Sequence, residues 1–340
     1  MRRQKGTKRL KDNQTSFDGA CADCFSQDPP DRRLFLKTAA LGAAGLALQA
    51  GPKSKVTSET LVTSLYKTLT PAQKKVVCFP FGHELQSKVD NNWHITPTKI
   101  AQFFTADQQA MIEEIFKGLH NPDFVDKVMH HMKEDDKGGF GNYSVALFGE
   151  PGTGKFEFVL TGRHCTARCD GDSVEGAAFG GPIFYGHQAG ADASERPDHP
   201  GNVYWFQGKR ANAVYAALDG KQRKLALLGD PRKEQKTATV ALRTKDKIDG
   251  LPVSEMSKDQ KKLVEQVLAD LLLPFRKKDV DEAMKYIKAA GGVNSLSMAF
   301  YQNLDLGVDK VWDVWQLESP NMVWHFRGHP HVHTWVNIKA

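Results

Sequence analysis

Leu, Val, Ile and Met recur at three- and four-residue spacing in segments separated by polar breaks, and four of these segments open on a capping residue followed three places later by Gln. Thr70 with Gln73, Thr105 with Gln108, Asp219 with Gln222 and Ser257 with Gln260 can each satisfy free backbone N–H groups at a helix end. Asn121-Pro122 marks a further start, with Asn as cap and Pro in the first turn. The spacing predicts amphipathic helices over 57–68, 70–79, 105–119, 122–134, 209–217, 220–228, 257–273, 279–290 and 294–302. Between them, residues 143–148 and 156–168 alternate apolar and polar and are joined by a Gly/Pro-rich hairpin connection. Further strands are expected at 173–178, 183–185, 321–327 and 331–338, with loops at 188–202 and 229–238. Strands in clusters and helices in clusters predict an α+β fold with an antiparallel sheet, in a single domain over 51–340.

The N-terminal segment breaks this pattern. Asp31-Arg32-Arg33-Leu34-Phe35-Leu36-Lys37 precedes an uncharged Ala/Leu/Gly stretch to Ala50, the signature of a twin-arginine export signal. The stretch is shorter than the roughly 20 residues that span a bilayer, so it reads as a signal core over 1–50 and not as a stable membrane anchor. The expected partner is the twin-arginine translocase, and the expected location is periplasmic or extracellular. Residues 1–50 carry nine Lys or Arg and five Asp or Glu, so +4 of the whole-chain charge of +6 belongs to the leader and only +2 to the rest. A nucleic-acid partner is therefore not expected. Cys21 and Cys24 lie in the polar leader without a supporting strand or helix. Cys165 and Cys169, if on one regular strand, stand about 13 Å apart, beyond disulfide reach.

Gly149-Glu150-Pro151-Gly152-Thr153-Gly154-Lys155 imitates a phosphate-binding loop. Phe156 follows where Ser or Thr should ligand Mg²⁺, however, and 156–160 is strand-like where a helix must begin, so no nucleotide is expected. The chemistry-bearing cluster is C-terminal: His325, His329, His331 and His333. On a strand, His331 and His333 share one face with Cα atoms about 6–7 Å apart, from which two imidazoles can converge on one ion. Val332, Thr334, Val336 and Ile338 face the other way, and a turn at 328–330 can bring His325 close. Parity on 156–168 places Phe156, Phe158, Leu160, Gly162 and His164 on one face, and Glu157, Thr161, Arg163 and Cys165 on the other. His164 is the third candidate ligand and His187 a weaker fourth. A His-x-His strand also fits a surface pair or two hydrogen-bonded sheet residues. His120 and His130-His131 sit among charges and are expected to be solvated, while His83 and His94 occupy a loop with roles in packing or recognition.

Several of these motifs together resemble the uncharacterised bacterial family known as domain of unknown function 3500. They are Leu69-Thr70-Pro71-Ala72-Gln73, Phe79-Pro80-Phe81 followed by Trp93-His94-Ile95-Thr96-Pro97, Phe148-Gly149-Glu150-Pro151, Thr161-Gly162-Arg163-His164, Gly250-Leu251-Pro252 and His331-Val332-His333-Thr334. The resemblance implies paired histidines where this chain has Arg163-His164, so only His164 carries over. It also implies an acidic, Gly-containing tail after the His-x-His, which is not found before Ala340. The family name implies no activity, but it strengthens the grouping of His164 with His331 and His333.

Three neutral imidazoles suit Zn²⁺ or a Cu ion, with one coordination position open for metal-assisted hydrolysis or oxidation of a small substrate. The alternative is a non-catalytic extracytoplasmic ligand-binding protein with Trp93, Tyr185, Trp205 and Trp335 lining a pocket.

Overall fold

The computed structural model describes residues 56–188, 202–305 and 311–340. The twin-arginine segment, Cys21 and Cys24 lie outside the described residues. Nine α-helices form among those described: α1 Ser58–Thr68, α2 Pro71–Val77, α3 Ile100–Phe103, α4 Ala106–Lys117, α5 Pro122–Asp135, α6 Trp205–Ala216, α7 Gly220–Ala226, α8 Lys258–Leu272 and α9 Lys277–Ala289. All four Gln capping boxes close as the sequence predicts, and Thr57 with Thr60 makes a fifth at α1. Asn121 caps α5 through the backbone N–H of Asp123.

Eleven strands build one mixed, mostly antiparallel sheet: β1 Cys78–Phe79, β2 Ser144–Gly149, β3 Phe156–Gly162, β4 Cys165–Cys169, β5 Ile183–His187, β6 Leu227–Leu228, β7 Leu251–Pro252, β8 Ser297–Tyr301, β9 Val314–Ser319, β10 Met322–Arg327 and β11 Val332–Ile338. Their spatial order is β1-β2-β3-β4-β5-β11-β10-β9-β8-β6, with β7 paired to β8. Only the short edge pairs β1·β2 and β6·β8 are parallel. The fold is therefore α+β. β5 and β11 form the seam where the early strands meet the late ones, and the candidate ligands lie beside this seam.

Strand alternation gives the sheet two different faces. One carries Leu147, Phe158, Leu160, Tyr185, Trp324, Phe326, Val336 and Phe300, which pack with the helices in the main core. The other carries smaller apolar groups such as Val159, Phe184, Val323 and Trp335, interspersed with polar side chains and covered by loops. Glu157 and Arg168 form a fully buried ion pair on this second face. Arg168 also donates to the carbonyls of Gln86, Lys88 and Pro182, and Gln86 donates to Glu157. These bonds fasten the loop before Val89 to the sheet. Farther along, Asn337 Nδ2 donates to the Val240 carbonyl, and Arg232 pairs with Glu318.

Three expected elements differ. Residues 156–168 are not one strand but a hairpin, β3 and β4, closed by the two residues Arg163 and His164 between the paired Gly162 and Cys165. The parity written for a continuous strand therefore reverses after the turn, and Cys165 joins Phe158 and Leu160 in the helix-side core. Residues 294–302 form β8, not a helix: Met298 and Phe300 enter the main core while Ala299 and Tyr301 pack on the opposite side, a period of two. Residues 173–178 make no strand beyond a single bridge from Ala177 to Lys339, and a 3-10 turn follows at Ala178–Gly180. β9 carries no strand expectation because Asp313 and Trp312 obscure its alternation. The phosphate-loop imitation is the β2–β3 hairpin connection, tied by Glu150 N–H to the Lys155 carbonyl at 3.1 Å. Cys165 and Cys169 stand at the two ends of β4, both buried free thiols. No helix among the described residues is long and apolar enough to cross a membrane.

Candidate metal centre

His164 owes its position to the tightness of the β3–β4 turn. Its backbone is left-handed, with φ of 49°, a conformation that costs a non-glycine residue on the order of 1–3 kcal/mol and is retained where the surroundings enforce it. Here its N–H donates to the Asn91 carbonyl at 2.8 Å, and the Tyr143 hydroxyl donates to the Arg163 carbonyl at 2.8 Å. Gly162 is needed beneath that tyrosine: a Cβ there would lie 2.3 Å from the ring. The turn thus delivers His164 to the loop-covered side, where its ring centroid is 6.3 Å from that of Phe184.

His333 lies on β11 opposite Gly186 of β5 and Arg327 of β10. Val332, Val336 and Ile338 enter the main core, so His333 faces the other side, as the alternation requires. His331 immediately precedes the strand, after the cis peptide His329–Pro330. The three rings converge: centroids are 4.9 Å apart for His164 and His331, 5.0 Å for His164 and His333, and 4.7 Å for His331 and His333. One nitrogen from each lies within 4.8 Å of the other two. His331 Nε2 and His333 Nε2 approach to 2.9 Å, while two imidazoles on one tetrahedral ion with bonds of about 2.0–2.1 Å would place their nitrogens about 3.3 Å apart. A shift of a few tenths of an ångström separates the two arrangements.

Two carboxylates set the ring tautomers. His164 Nδ1 donates to Asp135 Oδ2 at 2.5 Å, and His333 Nδ1 donates to Glu234 Oε2 at 2.6 Å. Each imidazole that gives its Nδ1 proton to a carboxylate keeps an Nε2 lone pair for an ion. Asp135, the last residue of α5, also accepts from Arg163 Nε at 3.2 Å and from the Gln188 N–H at 3.1 Å. Burial raises its pKa, but the bond from His164 and the charges of His164 and Arg163 outweigh this and hold the carboxyl below its ordinary value. His333 is held well below the usual imidazole range, first by burial, then by the Arg327, His164 and His331 charges. It is therefore a neutral ligand at ordinary pH.

Asp135 and Glu234 carry no local sequence signal. Asp135 sits in an acidic run that reads as a solvated helix end, and Glu234 in the 229–238 loop. Only their tertiary placement gives them a role. Arg163, at the position where the resemblance implies a second histidine, turns to Asp135 and Gln188.

The remaining histidines divide by face. His187 is fully buried on the helix side, its ring 5.2 Å from that of His131, so it is not a fourth ligand. His325 shares the face of His333 but stays 3.9 Å from Glu234 through Nε2, outside the trio. Burial lowers its pKa to about 4 despite the pull of Glu234. His131 is buried, not solvated as expected, because it lies on the core side of α5. His120 likewise packs on Phe116 and accepts no solvated role, with Nδ1 2.9 Å from the Phe116 carbonyl. His130 is exposed, as expected. His83 packs its ring on Phe79. Tyr185 and Trp205 belong to the helix-side core, Trp335 and Trp93 to separate clusters on the other face, so these four aromatics do not line one pocket.

The structure thus defines an α+β protein with a buried imidazole trio braced by two carboxylates. The chain belongs to the family described as "Protein of unknown function (DUF3500)", whose sequence profile matches residues 52–338. No curated protein and no solved structure matches it.

Proposed function

We propose that this is an exported protein in which His164, His331 and His333 hold one Zn²⁺ or Cu ion with a coordination position left open for a small substrate. The observation that carries this reading is the pairing of Nδ1 with Asp135 on one ring and with Glu234 on another, which leaves their Nε2 atoms available beside that of His331. Surface histidine pairs have no reason to be buried with dedicated carboxylates. An ion held by three imidazoles supplies a Lewis acid that brings the pKa of a bound water toward about 7, or a redox centre if it is copper. The chain's own part is to fix ligand orientation, and to exclude bulk water on the sheet side with the Phe184 ring, 5.2 Å from His333. Metal-assisted hydrolysis or oxidation of a small molecule follows from an open position. Export is supported by Arg32-Arg33 with Phe35-Leu36-Lys37 and the short apolar run after them, and implies passage through the twin-arginine translocase.

Elemental analysis of protein purified from its native compartment tests the metal. One equivalent of Zn or Cu, lost in the His331→Ala/His333→Ala double variant, is the expected result. A metal-free protein that also fails to take up either ion by titration would sink the reading and favour a non-catalytic binder.

A further inference from the structure

Beside Glu234 opens a cleft of about 370 Å³, whose wall includes Arg232, Lys233, Glu234, His325 and Arg327. Its polar groups are unusual in what they lack. Arg327 Nε and Nη2, Arg232 Nε and His325 Nδ1 are all buried without a hydrogen-bond partner. Arg327 meets Glu234 Oε1 at 3.2 Å through Nε, an ion contact that leaves Nη2 unused. Arg232, by contrast, spends its Nη atoms on the Thr239 and Ala241 carbonyls and on Glu318, so only its Nε is spare. Buried polar groups are ordinarily paired. Spare nitrogens on three side chains around one concavity, two of them always cationic, match a ligand that only accepts hydrogen bonds and carries negative charge.

We infer that this cleft binds a compact oxyanion group, a carboxylate or a phosphate- or sulfate-type head, on Arg327. A guanidinium presents donors in a fixed fork suited to such oxygens. Arg232 Nε and, in its Nδ1–H tautomer, His325 add further donors, and exposed Lys233 supplies charge at the wall. Asp230 and Glu234 are the acids on the same wall. Glu234 faces the histidines as well as the cleft: Oε2 accepts from His333 while Oε1 meets Arg327. Arg327 is also the cross-strand partner of His333. An oxyanion on Arg327 would thus lie next to a proposed metal ligand, which makes the substrate of the metal centre an anionic small molecule. That last step rests on the metal reading; the anion site itself does not.

Calorimetric titration of the full chain with acetate, phosphate and sulfate, at constant ionic strength set by chloride, tests the cleft before and after chelator treatment. The expected result is saturable binding of one equivalent of at least one of these anions, weakened tenfold or more in Arg327→Gln. The ranking of the three separates a carboxylate site from a phosphate or sulfate site. If Arg327→Gln does not fold, a crystal of the unaltered protein soaked in sulfate replaces it, with an ion within hydrogen-bond reach of Arg327 Nη2 expected. No saturable binding of any anion, unchanged affinity in a folded Arg327→Gln, or sulfate bound only elsewhere overturns the inference. Metal content measured on the same samples keeps the two ideas apart. Loaded protein that ignores all three anions removes the cleft alone, and metal-free protein that binds one removes the metal alone.

Discussion

Asp135 binds no ion in the proposed centre, yet it decides which nitrogen of His164 is free. Replacing it by Asn keeps the shape but offers an amide where His164 Nδ1 now meets a carboxylate held by Arg163 and the Gln188 N–H. Loss of such a partner weakens metal affinity by about 10–100-fold, and a competition titration against a chelator of known strength should record a drop of that size in Asp135→Asn. A second residue-scale effect concerns acid. Burial lowers His120 to about 4 from its unfolded value near 6.5, against the bond to the Phe116 carbonyl. Below about pH 6.5 the unfolded chain gains a proton that the folded one refuses, so this stability is full above 6.5 and is lost as pH falls toward 4. The slope is up to about 1.4 kcal/mol per pH unit. Urea unfolding between pH 7 and pH 5 should show His120→Gln losing less stability than the unaltered chain by about that slope; parallel curves would refute it.

The capping glutamines act between helices as well as within them. Gln73 closes the box of α2 and its Nε2 donates to Gln108 Oε1 at 2.9 Å, while Gln108 closes the box of α4. Gln260 of α8 and Gln222 of α7 repeat the arrangement at 2.7 Å. The boxes are readable from the four-residue spacing, but the contact between two boxes is not, because it depends on how the helices pack. At the seam of the sheet, β5 reaches β11 through Gly186, where a Cβ would lie 2.4 Å from the Val332 carbonyl oxygen. Gly186→Ala must therefore push apart the strands that carry His333. Overpacking of this kind costs about 1–3 kcal/mol, so a lower Tm together with weaker metal binding is expected. A variant with normal metal affinity would show that the seam does not position the trio.

At the scale of the whole molecule, the sheet separates two environments. Its helix face is filled with large apolar groups, and its loop face holds the buried Glu157–Arg168 pair, the imidazole trio and the Arg327 cleft. Chemistry gathers where loops, not helices, cover the strands, since loops can bring in polar partners such as Asp90, Glu234 and Arg232. The leader is a separate address. Changing Arg32 and Arg33 together to Lys preserves charge but removes the paired guanidinium pattern, and cell fractionation should find the protein retained in the cytoplasm. Unchanged export would remove the twin-arginine assignment without touching the metal.

Periodicity and caps determined the α+β class, most helix starts and the outward face of His333, because these depend on spacing along a few turns or one strand. The two-residue hairpin at Arg163-His164 escaped the same logic: alternation continues on both sides of it, and nothing local marks a reversal there. The tertiary structure alone decided that His164 meets His331 and His333, that His187 is on the far side of the sheet, and that Asp135 and Glu234 become partners of imidazoles. Those are contacts between residues about 30 to 170 positions apart, and such distances are set by strand order and loop path rather than by any pattern within the segments themselves.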